Sequence, residues 1–273
     1  MSIAQRLSLQ GKAAIVTGGG HGIGKVIAAS LAECGASVAI ADLSEEYGVK
    51  ATEEINRQGH MAAYFPVDLR DGKSIAALSK AVGTHFGRID ILVNNARPKL
   101  AVAPFKESLA EWDLGLEVLL KAPALLSAAC QELLAKNNGS IVNIVSVAAQ
   151  FVSHQPAAYH VAKAGLVQLT RFLAVEFAPQ KIRVNAVCPG LVDLFDENKP
   201  LTANPLHRQT AEIVVPLKRA GTAAEIADCV TFLCADAASY ITGQVLSCDG
   251  GETLQDHFHV VREALKSGQK EKV

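Results

Sequence analysis

Residues 13–24, which read AAIVTGGGHGIG, lead from a short apolar run into a turn rich in glycine. Glycines at a strand-to-helix turn let the backbone approach a pyrophosphate, whose charge then meets the N–H groups at the positive end of the helix. A glycine-rich run also occurs in ordinary tight turns, but this one lies between the first predicted strand and the first predicted helix, where the nucleotide motif requires it. The stretch therefore predicts a βαβ unit that binds a nucleotide.

Short apolar runs alternate with longer amphipathic stretches along the rest of the chain. The apolar runs predict seven strands, at 13–17, 37–41, 62–67, 89–94, 140–146, 182–187 and 244–247. Stretches of helical period predict helices at 23–34, 45–58, 72–86, 108–135, 157–178 and 223–235. Pro123 predicts a kink inside the fourth of these helices. The predicted fold class is α/β: a single-domain, Rossmann-type, doubly wound parallel sheet of about seven strands with helices on both faces.

These elements belong to one predicted nucleotide-binding domain, residues 1–251. Residues 191–216 interrupt the alternation with three prolines and an Asn-Pro turn, and they predict a substrate loop rather than a core element. Residues 252–273 predict a C-terminal tail in which Leu254–Leu265 forms one helix.

Composition excludes several other classes of protein. The chain has 273 residues, of which 49% are hydrophobic, so it can bury a sizeable core, and its net charge of −1 gives no reason to expect a nucleic acid or a membrane as partner. The six cysteines form no CxxC pair and are typical of free thiols in a reducing compartment, and no metal-ligand constellation is visible. The N-terminus has no apolar targeting segment. We therefore expect a soluble cytoplasmic protein without a metal site.

The end of the second predicted strand bears on the choice of nucleotide. Asp42 lies there, and a carboxylate at this position accepts hydrogen bonds from the adenosine ribose hydroxyls and repels a 2′-phosphate. No Arg or Lys adjoins it, so NAD is favoured over NADP. The same side chain could also cap the helix that starts near Ser44.

A phenol and an ammonium are paired farther along the chain. Tyr159 and Lys163 are four residues apart in a predicted helix, which places both side chains on one face. A lysine charge beside a phenol favours the phenolate, which makes it a better proton acceptor near neutral pH. Ser146, at the end of an apolar run, could bring a hydroxyl to the same place. Such a pair also arises by chance on helix surfaces, and Ser146 could simply cap a strand end.

With the glycine turn, Ser146, Tyr159 and Lys163 in this order, the chain resembles the short-chain dehydrogenase/reductase family over about 11–251. Further family motifs are Asp68 in VDL, NNA at 94–96, NAVCPG at 185–190, PLKRAG at 216–221, TGQ at 242–244 and DGG at 249–251. The resemblance implies an NAD(P)-dependent oxidoreductase that interconverts a secondary alcohol and a carbonyl by hydride transfer. It implies that Ser146, Tyr159 and Lys163 are the catalytic residues.

The resemblance also implies where the cofactor and the substrate bind. The expected cofactor residues are Gly18, Gly20, His21, Gly22, Ile23, Gly24, Asp42, Leu43, Asp68, Leu69, Asn95, Ala96, Tyr159, Lys163, Pro189, Gly190 and Val192. The expected substrate residues are Arg97, Gln150, His154 and Phe195. The expected partners are a small alcohol or ketone and further copies of the chain in a homo-oligomer, either a tetramer or a dimer.

Four positions depart from the family pattern. Leu119 replaces an asparagine that helps to hold a water in a proton relay, and leucine cannot make that bond. Arg97 replaces a glycine, Leu194 a threonine and Ala149 another glycine. We hypothesise that Arg97, at the carboxyl edge of the sheet, pairs with an anionic group of the substrate. The alternative is a surface arginine or an interface ion pair.

Two other functions stay open at this level. One is an NADPH-dependent 3-oxoacyl thioester reductase, against which Asp42 argues. The other is a catalytically weak, dinucleotide-binding sensor or scaffold, which the losses at the departing positions would allow. A pure binding protein has no chemical need to keep Ser146, Tyr159 and Lys163, so the sequence favours the enzyme.

Overall fold

The structure is a computed structural model that describes residues 1–100, 107–193, 195, 196, 199, 200 and 203–270, with the backbone alone at 195, 196, 199, 200 and 267–270. Seven strands in this part of the chain form one sheet: β1 (Ala13–Thr17), β2 (Ser37–Asp42), β3 (Met61–Pro66), β4 (Ile91–Asn94), β5 (Ser140–Ile144), β6 (Arg183–Pro189) and β7 (Val245–Cys248). All neighbouring strands of this sheet are parallel. Two short strand pairs lie outside it, Val192–Asp193 with Gly221–Thr222 and Phe195–Asp196 with Lys199–Pro200.

Helices connect the strands and cover both faces of the sheet. They are α1 (Ile3–Leu7), α2 (Gly22–Glu33), α3 (Glu45–Arg57), α4 (Gly72–Phe86), α5 (Leu109–Leu116), α6 (Ala122–Lys136), α7 (Ala157–Phe177), α8 (Pro205–Val214), α9 (Ala223–Cys234) and α10 (His257–Lys270). The predicted α/β fold class is therefore confirmed, and the predicted bounds of β1 and α4 agree with the structure to the residue.

The strand order creates a crevice at one edge of the sheet. The order is β7-β6-β5-β4-β1-β2-β3, so the direction of winding reverses between β1 and β4. The loops that follow these two strands diverge, and ligands of doubly wound sheets bind in the crevice between such loops. The glycine turn follows β1 and Asn95 follows β4, so both predicted motifs meet at this crevice.

The core consists of two apolar layers, one on each face of the sheet. Ala14 and Val16 of β1 belong to the layer formed with α2, α3 and α9, whereas Ile15 belongs to the layer formed with α4, α6 and α7. Successive side chains of a strand point to opposite faces. Every residue of β1 is therefore buried, which explains why four of its five residues are apolar.

The single helix predicted over 108–135 is wrong in one respect. The structure has α5, a π-helical turn at Glu117–Lys121, and α6. Pro123 has no N–H to donate to the carbonyl of Leu119, and the N–H of Ala122 donates to Glu117, five residues earlier. The irregularity predicted at Pro123 is therefore a π-helical turn rather than a sharp kink, and Leu119 lies in that turn.

The same segment, Leu109–Lys136, is long and apolar enough on composition alone to cross a membrane. Its residues Leu126, Cys130 and Leu134 are fully buried in the layer beside α4 and β5. We therefore assign the apolarity of this segment to the core.

The tail also differs from its prediction. Residues 252–254 form a 3₁₀ turn, and α10 begins only at His257 and continues to Lys270. Asp256 accepts a hydrogen bond from the N–H of His259, which explains where this helix starts.

Candidate active site

The glycine turn forms a backbone cradle at the start of α2. Gly18 has φ of +62°, a left-handed conformation that residues with a Cβ rarely adopt. A Cβ added to Gly24 would lie 2.1 Å from the carbonyl oxygen of Gly18, so the helix approaches the turn as closely as only glycine allows. The cradle exposes main-chain N–H groups at the helix N-terminus, and it fits a pyrophosphate by its donors and its shape.

Asp42 closes the cradle on the side of β2. Its carboxylate is 7% exposed and accepts hydrogen bonds from the N–H of Gly20 at 2.9 Å and from the N–H of Ser44 at 3.0 Å. Each carboxylate oxygen keeps a further lone pair for a ligand hydroxyl. Ser44, not Asp42, is the N-cap of α3, since its Oγ accepts from the N–H of Tyr47. The helix-cap alternative for Asp42 is therefore wrong.

The far end of the crevice contains an ion pair that the sequence did not reveal. Arg70 donates to the carboxylate of Asp68 at 2.6 Å, and hydrogen bonds from Arg70 hold the pKa of Asp68 below its usual range. Arg70 is exposed and Asp68 is half-buried, so the ion pair contributes little to stability. Its place beside Leu69 leaves it at the predicted adenine end of the crevice.

The structure brings Ser146, Tyr159 and Lys163 to one wall. Tyr159 and Lys163 project from α7, with 8% and 3% of their surfaces exposed. The Nζ of Lys163 donates to the carbonyl oxygen of Ile144 at 2.5 Å and lies 5.6 Å from the centroid of the Tyr159 ring. Ser146 follows β5, and its Oγ accepts from the N–H of Ala148 at 3.2 Å.

Burial changes the proton affinity of Lys163. Removal from water is the main cause, and the nearby positive charge of Arg97 is the second; together they lower the pKa of Lys163 from 10.5 to about 7. The thiol of Cys188 is nearby, and burial raises its pKa to about 11, so the thiol stays protonated near neutral pH. Lys163 is thus a group that can gain or lose its proton at working pH.

Arg97 lies beside the same tyrosine. Its guanidinium carbon is 4.9 Å from the centroid of the Tyr159 ring, and its Nη2 donates to Oε1 of Gln155 at 2.6 Å. Sequence reasoning placed Arg97 near the site but gave no contact partner. A cation over an aromatic face is attracted by the ring quadrupole, so the tyrosine helps to hold the guanidinium here.

One cleft of about 940 Å³ joins these features. Of the predicted cofactor residues, those that line the cleft are Gly18, His21, Gly22, Ile23, Asp42, Leu43, Asp68, Leu69, Asn95, Ala96, Tyr159, Lys163, Pro189, Gly190 and Val192. Gly20 and Gly24 lie behind this wall, where one donates to Asp42 and the other packs against Gly18. The volume is that of a site for a sizeable organic ligand.

The predicted substrate residues are divided. Arg97 lines the cleft, whereas Gln150 and His154 are exposed and lie outside its lining. The amide of Gln150 is directed to Sγ of Cys188, at 3.7 Å, instead of into the cleft. The side chain of Phe195 and all of Leu194 lie outside the described residues.

Sequence reasoning missed several residues that shape the wall. The carboxylate of Glu107 accepts a hydrogen bond from the N–H of Ala157 at the start of α7, whose N-cap, Pro156, has no side-chain acceptor. A carboxylate at a helix N-terminus is stabilising, so Glu107 positions the helix that carries Tyr159. Glu252 is half-buried, lines the cleft and accepts from the N–H of Leu191. No local sequence signal could pair Glu107 with α7, because the two are 50 residues apart.

Leu119 replaces the polar relay residue with an apolar contact. It is 1% exposed and packs with Leu100, Ala148, Tyr159 and Ala162. A cavity of about 10 Å³ is lined by both Leu119 and Lys163. Its side chain offers no hydrogen bond to a water at this place, so a relay through this position has no polar partner.

Comparisons with known proteins show which proteins this chain is similar to. The family described as "Enoyl-(Acyl carrier protein) reductase" matches residues 18–253. An oxidoreductase of Thermotoga maritima described as uncharacterized is 40% identical (90% of this chain, 99% of the relative), and cis-4-hydroxycyclohexanecarboxylate dehydrogenase of Sinomonas cyclohexanicum is 37% identical (89% and 96%). The 3-oxoacyl-[acyl-carrier-protein] reductase FabG of Chlamydia muridarum is 36% identical (89% and 98%).

Solved structures share the fold over the same range. A 7α-hydroxysteroid dehydrogenase complexed with NADH and 7-oxo glycochenodeoxycholic acid superposes with a TM-score of 0.85 at 33% identity, covering 92% of this chain and 98% of that one. A structure from Beutenbergia cavernae with bound NADP at low occupancy gives a TM-score of 0.83 at 34% identity, with coverages of 92% and 100%.

The protonation of Lys163 should make stability depend on pH. Because its pKa is lower in the folded protein than in the unfolded chain, the folded state binds fewer protons there between pH 7 and 10.5, and the stability contributed by this group rises with pH in that window. Relative to Lys163→Met, which cannot titrate, the wild type should gain up to a few kcal/mol of unfolding free energy between pH 6 and pH 10. Urea unfolding at several pH values measures the difference.

Lys80→Met is the matched control, since Lys80 is exposed on α4. Its unfolding free energy should follow that of the wild type at every pH. A constant difference between wild type and Lys163→Met across the window would contradict the lowered pKa.

Proposed function

The chain belongs to the short-chain dehydrogenase/reductase family and is an NAD(P)-dependent oxidoreductase that acts on CH–OH groups, and from this premise we propose that it is an NAD-dependent dehydrogenase that interconverts a secondary alcohol and a carbonyl on a small organic substrate. One observation carries the proposal. Lys163 is buried against the carbonyl of Ile144 beside the ring of Tyr159, in the same cleft as the glycine cradle.

The cradle at Gly18–Gly24 would hold the pyrophosphate of a dinucleotide, and Asp42 would hold the adenosine ribose. Pro189, Gly190 and Val192 line the cleft beside Tyr159 and would hold the nicotinamide end. When bound, NAD supplies the hydride acceptor at C4 of its nicotinamide. The proton transfer and the stabilisation of the substrate oxygen would be performed by side chains of this chain.

In the oxidative direction, the alcohol loses a hydride from its carbinol carbon and a proton from its hydroxyl, so two electrons leave with the hydride and a C=O bond forms. Tyr159 Oη would take the proton. Ser146 Oγ would donate a hydrogen bond to the substrate oxygen and stabilise its developing charge. Lys163, when charged, would favour the phenolate of Tyr159 and hold the nicotinamide ribose.

The preference for NAD over NADP rests on Asp42. Its carboxylate is buried, is oriented by two backbone N–H groups, and would face a 2′-phosphate with like charge. The related steroid dehydrogenase contains NADH, which supports the proposal, although another structural relative contains NADP. The cis-4-hydroxycyclohexanecarboxylate dehydrogenase of Sinomonas cyclohexanicum, whose name specifies a secondary alcohol, supports this type of substrate.

A 3-oxoacyl thioester reductase is the second candidate, because the Chlamydia relative has that name and the matching family is described as an enoyl reductase. Such an enzyme would use NADPH, and Asp42 disfavours that cofactor. Faster turnover of NADPH with a 3-oxoacyl thioester than of NAD with any secondary alcohol would favour the second candidate.

We also propose a homo-oligomer. Apolar side chains on α6 and α7 are exposed in the single chain: Leu125, Val161, Phe172 and Val175. Association of copies through these helices would bury them.

Sedimentation velocity of the wild type should give a dimer or a tetramer. Phe172→Glu should shift the distribution toward the monomer. A wild type that sediments as a monomer alone contradicts the proposed homo-oligomer.

Removal of the Tyr159 hydroxyl should strongly reduce turnover without loss of cofactor binding. Tyr159→Phe should lower kcat by about 10²–10⁴-fold, since the substrate proton then has no acceptor at the reacting oxygen. NADH formation with a panel of secondary alcohols measures kcat, and calorimetry measures NAD affinity.

Tyr240→Phe is the matched control, because Tyr240 is fully exposed, and it should keep wild-type kcat. Substantial turnover by Tyr159→Phe would refute the proton role. A wild type that binds NAD and oxidises no alcohol on the panel would favour the sensor or scaffold.

Removal of the Asp42 carboxylate should weaken the preference for NAD. Asp42→Ala should lower the ratio of kcat/KM for NAD to that for NADP by about 10–100-fold, equivalent to about 1.4–2.8 kcal/mol, because the ribose loses its acceptor and a 2′-phosphate loses a repulsive charge. Initial rates with both cofactors measure the ratio. Glu46→Ala removes the same charge from an exposed position on α3 and should leave the ratio unchanged; an equal change in both variants contradicts the assignment.

A further inference from the structure

Arg97 is a cation at the substrate end of the cleft, and it has no role in the proposed hydride transfer. Its guanidinium lies 4.9 Å from the centroid of the Tyr159 ring, next to where the reacting oxygen of a substrate would bind. Pro98, Lys99 and Leu100, which follow it, line the same cleft. The residue is exposed to solvent and therefore accessible to a ligand.

Most N–H donors of the Arg97 guanidinium form no hydrogen bond with the described residues. Arginine carries five N–H donors in a planar fork that matches a carboxylate. Within the described residues, its side chain forms one hydrogen bond, to the neutral amide of Gln155, and no ion pair. Although Arg97 is exposed, its guanidinium contacts an aromatic ring and an amide.

The loop that carries Gln155 is itself ordered by side chains. His160 accepts a hydrogen bond at Nε2 from the N–H of Ser153 at 2.9 Å and donates from Nδ1 to the carbonyl of Pro156 at 2.8 Å. The N–H of Gln155 reaches Oγ of Ser153 at 3.4 Å. These hydrogen bonds hold the loop that carries Gln155 against the first turn of α7, close to Tyr159. The guanidinium of Arg97 is therefore preorganised, which lowers the conformational entropy lost when a ligand binds.

Charge at this end of the cleft is unbalanced. The basic side chains that line it are Arg97, Lys99 and Lys163, of which Lys163 has a lowered pKa, and Glu252 is the one carboxylate among the described residues there. Glu252 already accepts a hydrogen bond from Leu191, and burial raises its pKa, which disfavours its charged form. Asp42 and Asp68 lie at the other end of the cleft, at the predicted ribose and adenine positions.

We infer that the substrate is a hydroxy acid, whose carboxylate pairs with Arg97 while its secondary hydroxyl meets Tyr159 and Ser146. This inference rests on the proposed function and deepens it by naming the substrate class. The carboxylate takes no part in bond making: the carbinol carbon loses the hydride to NAD, the hydroxyl loses its proton to Tyr159, and the product is the corresponding oxo acid.

The state of Lys163 agrees with an anionic substrate. The positive charge of Arg97 is one cause of the lowered pKa of Lys163. An anion bound to Arg97 would offset that repulsion and favour the charged lysine. Substrate binding would then promote the form of Lys163 that stabilises the Tyr159 phenolate.

The test compares matched substrates that differ only in charge. The probes are 2-hydroxybutyrate, 3-hydroxybutyrate, 4-hydroxypentanoate and a cyclic hydroxy acid, each with its primary amide, and the enzyme is the full chain saturated with NAD. For at least one pair, kcat/KM should be about tenfold or more higher for the acid. Arg97→Gln should lower that acid-to-amide ratio by about tenfold or more, mainly through KM of the acid. Arg97→Lys keeps the charge without the fork and should retain part of the ratio.

Arg57→Gln is the matched control, because Arg57 is exposed at the end of α3 and far from the cleft lining. It should leave the ratio as in the wild type. Equal use of acids and amides, or a ratio that Arg97→Gln does not change, overturns the inference.

A binding measurement separates this inference from the proposed function. Calorimetry with the NADH-loaded enzyme, which cannot oxidise an alcohol, should show that the acid binds more tightly than the amide and that Arg97→Gln removes the difference. If neutral alcohols are oxidised and no acid is preferred in rate or binding, the substrate class is wrong and the dehydrogenase stands. If nothing is oxidised while acid binding still depends on Arg97, the dehydrogenase is wrong and the anion site stands.

Discussion

The site depends on a buried lysine amine that donates a hydrogen bond to a backbone carbonyl. Lys163 is 3% exposed, and its Nζ donates to Ile144 at the end of β5. Burial of a charged amine costs several kcal/mol, and one neutral acceptor offsets only part of that cost, so the proton affinity falls instead. The same hydrogen bond joins α7 to the sheet and sets the height at which Tyr159, one turn earlier on the helix, faces the cleft. Glu107 fixes the start of that helix.

Two departures from the family pattern act on this ammonium in the same direction. Leu119 places an apolar side chain on the small cavity that Lys163 also lines, and Arg97 adds a like charge nearby. Both disfavour the charged form of Lys163. The proposed carboxylate of the substrate has the opposite effect, so substrate charge and proton chemistry are coupled through one residue.

Most of the fold was predictable because the five strands β1, β2, β4, β5 and β6 are buried on both faces. A strand of this kind is mostly apolar, and glycine or polar residues mark its ends, as in the sequence around β1 and β2. The irregular α5–α6 segment could not be predicted in detail, because the π-helical turn is a change of hydrogen-bond register around Pro123 rather than a change of composition. The position of Gln150 could not be predicted either, since an exposed side chain is directed by whichever partner is near, here Cys188.

The sequence by itself determined the α/β fold class, the glycine cradle, the carboxylate of Asp42 and the spacing of Tyr159 and Lys163, because all of these depend on local backbone geometry or on residues within one element. The tertiary structure alone decided that Lys163 binds the carbonyl of Ile144, that Glu107 caps α7 and that Arg97 lies on Tyr159 beside Gln155. Each of these contacts joins residues that are 19 to 62 positions apart. Contacts at such separations form when the sheet assembles and carry no local signature, and they give this cleft its charge.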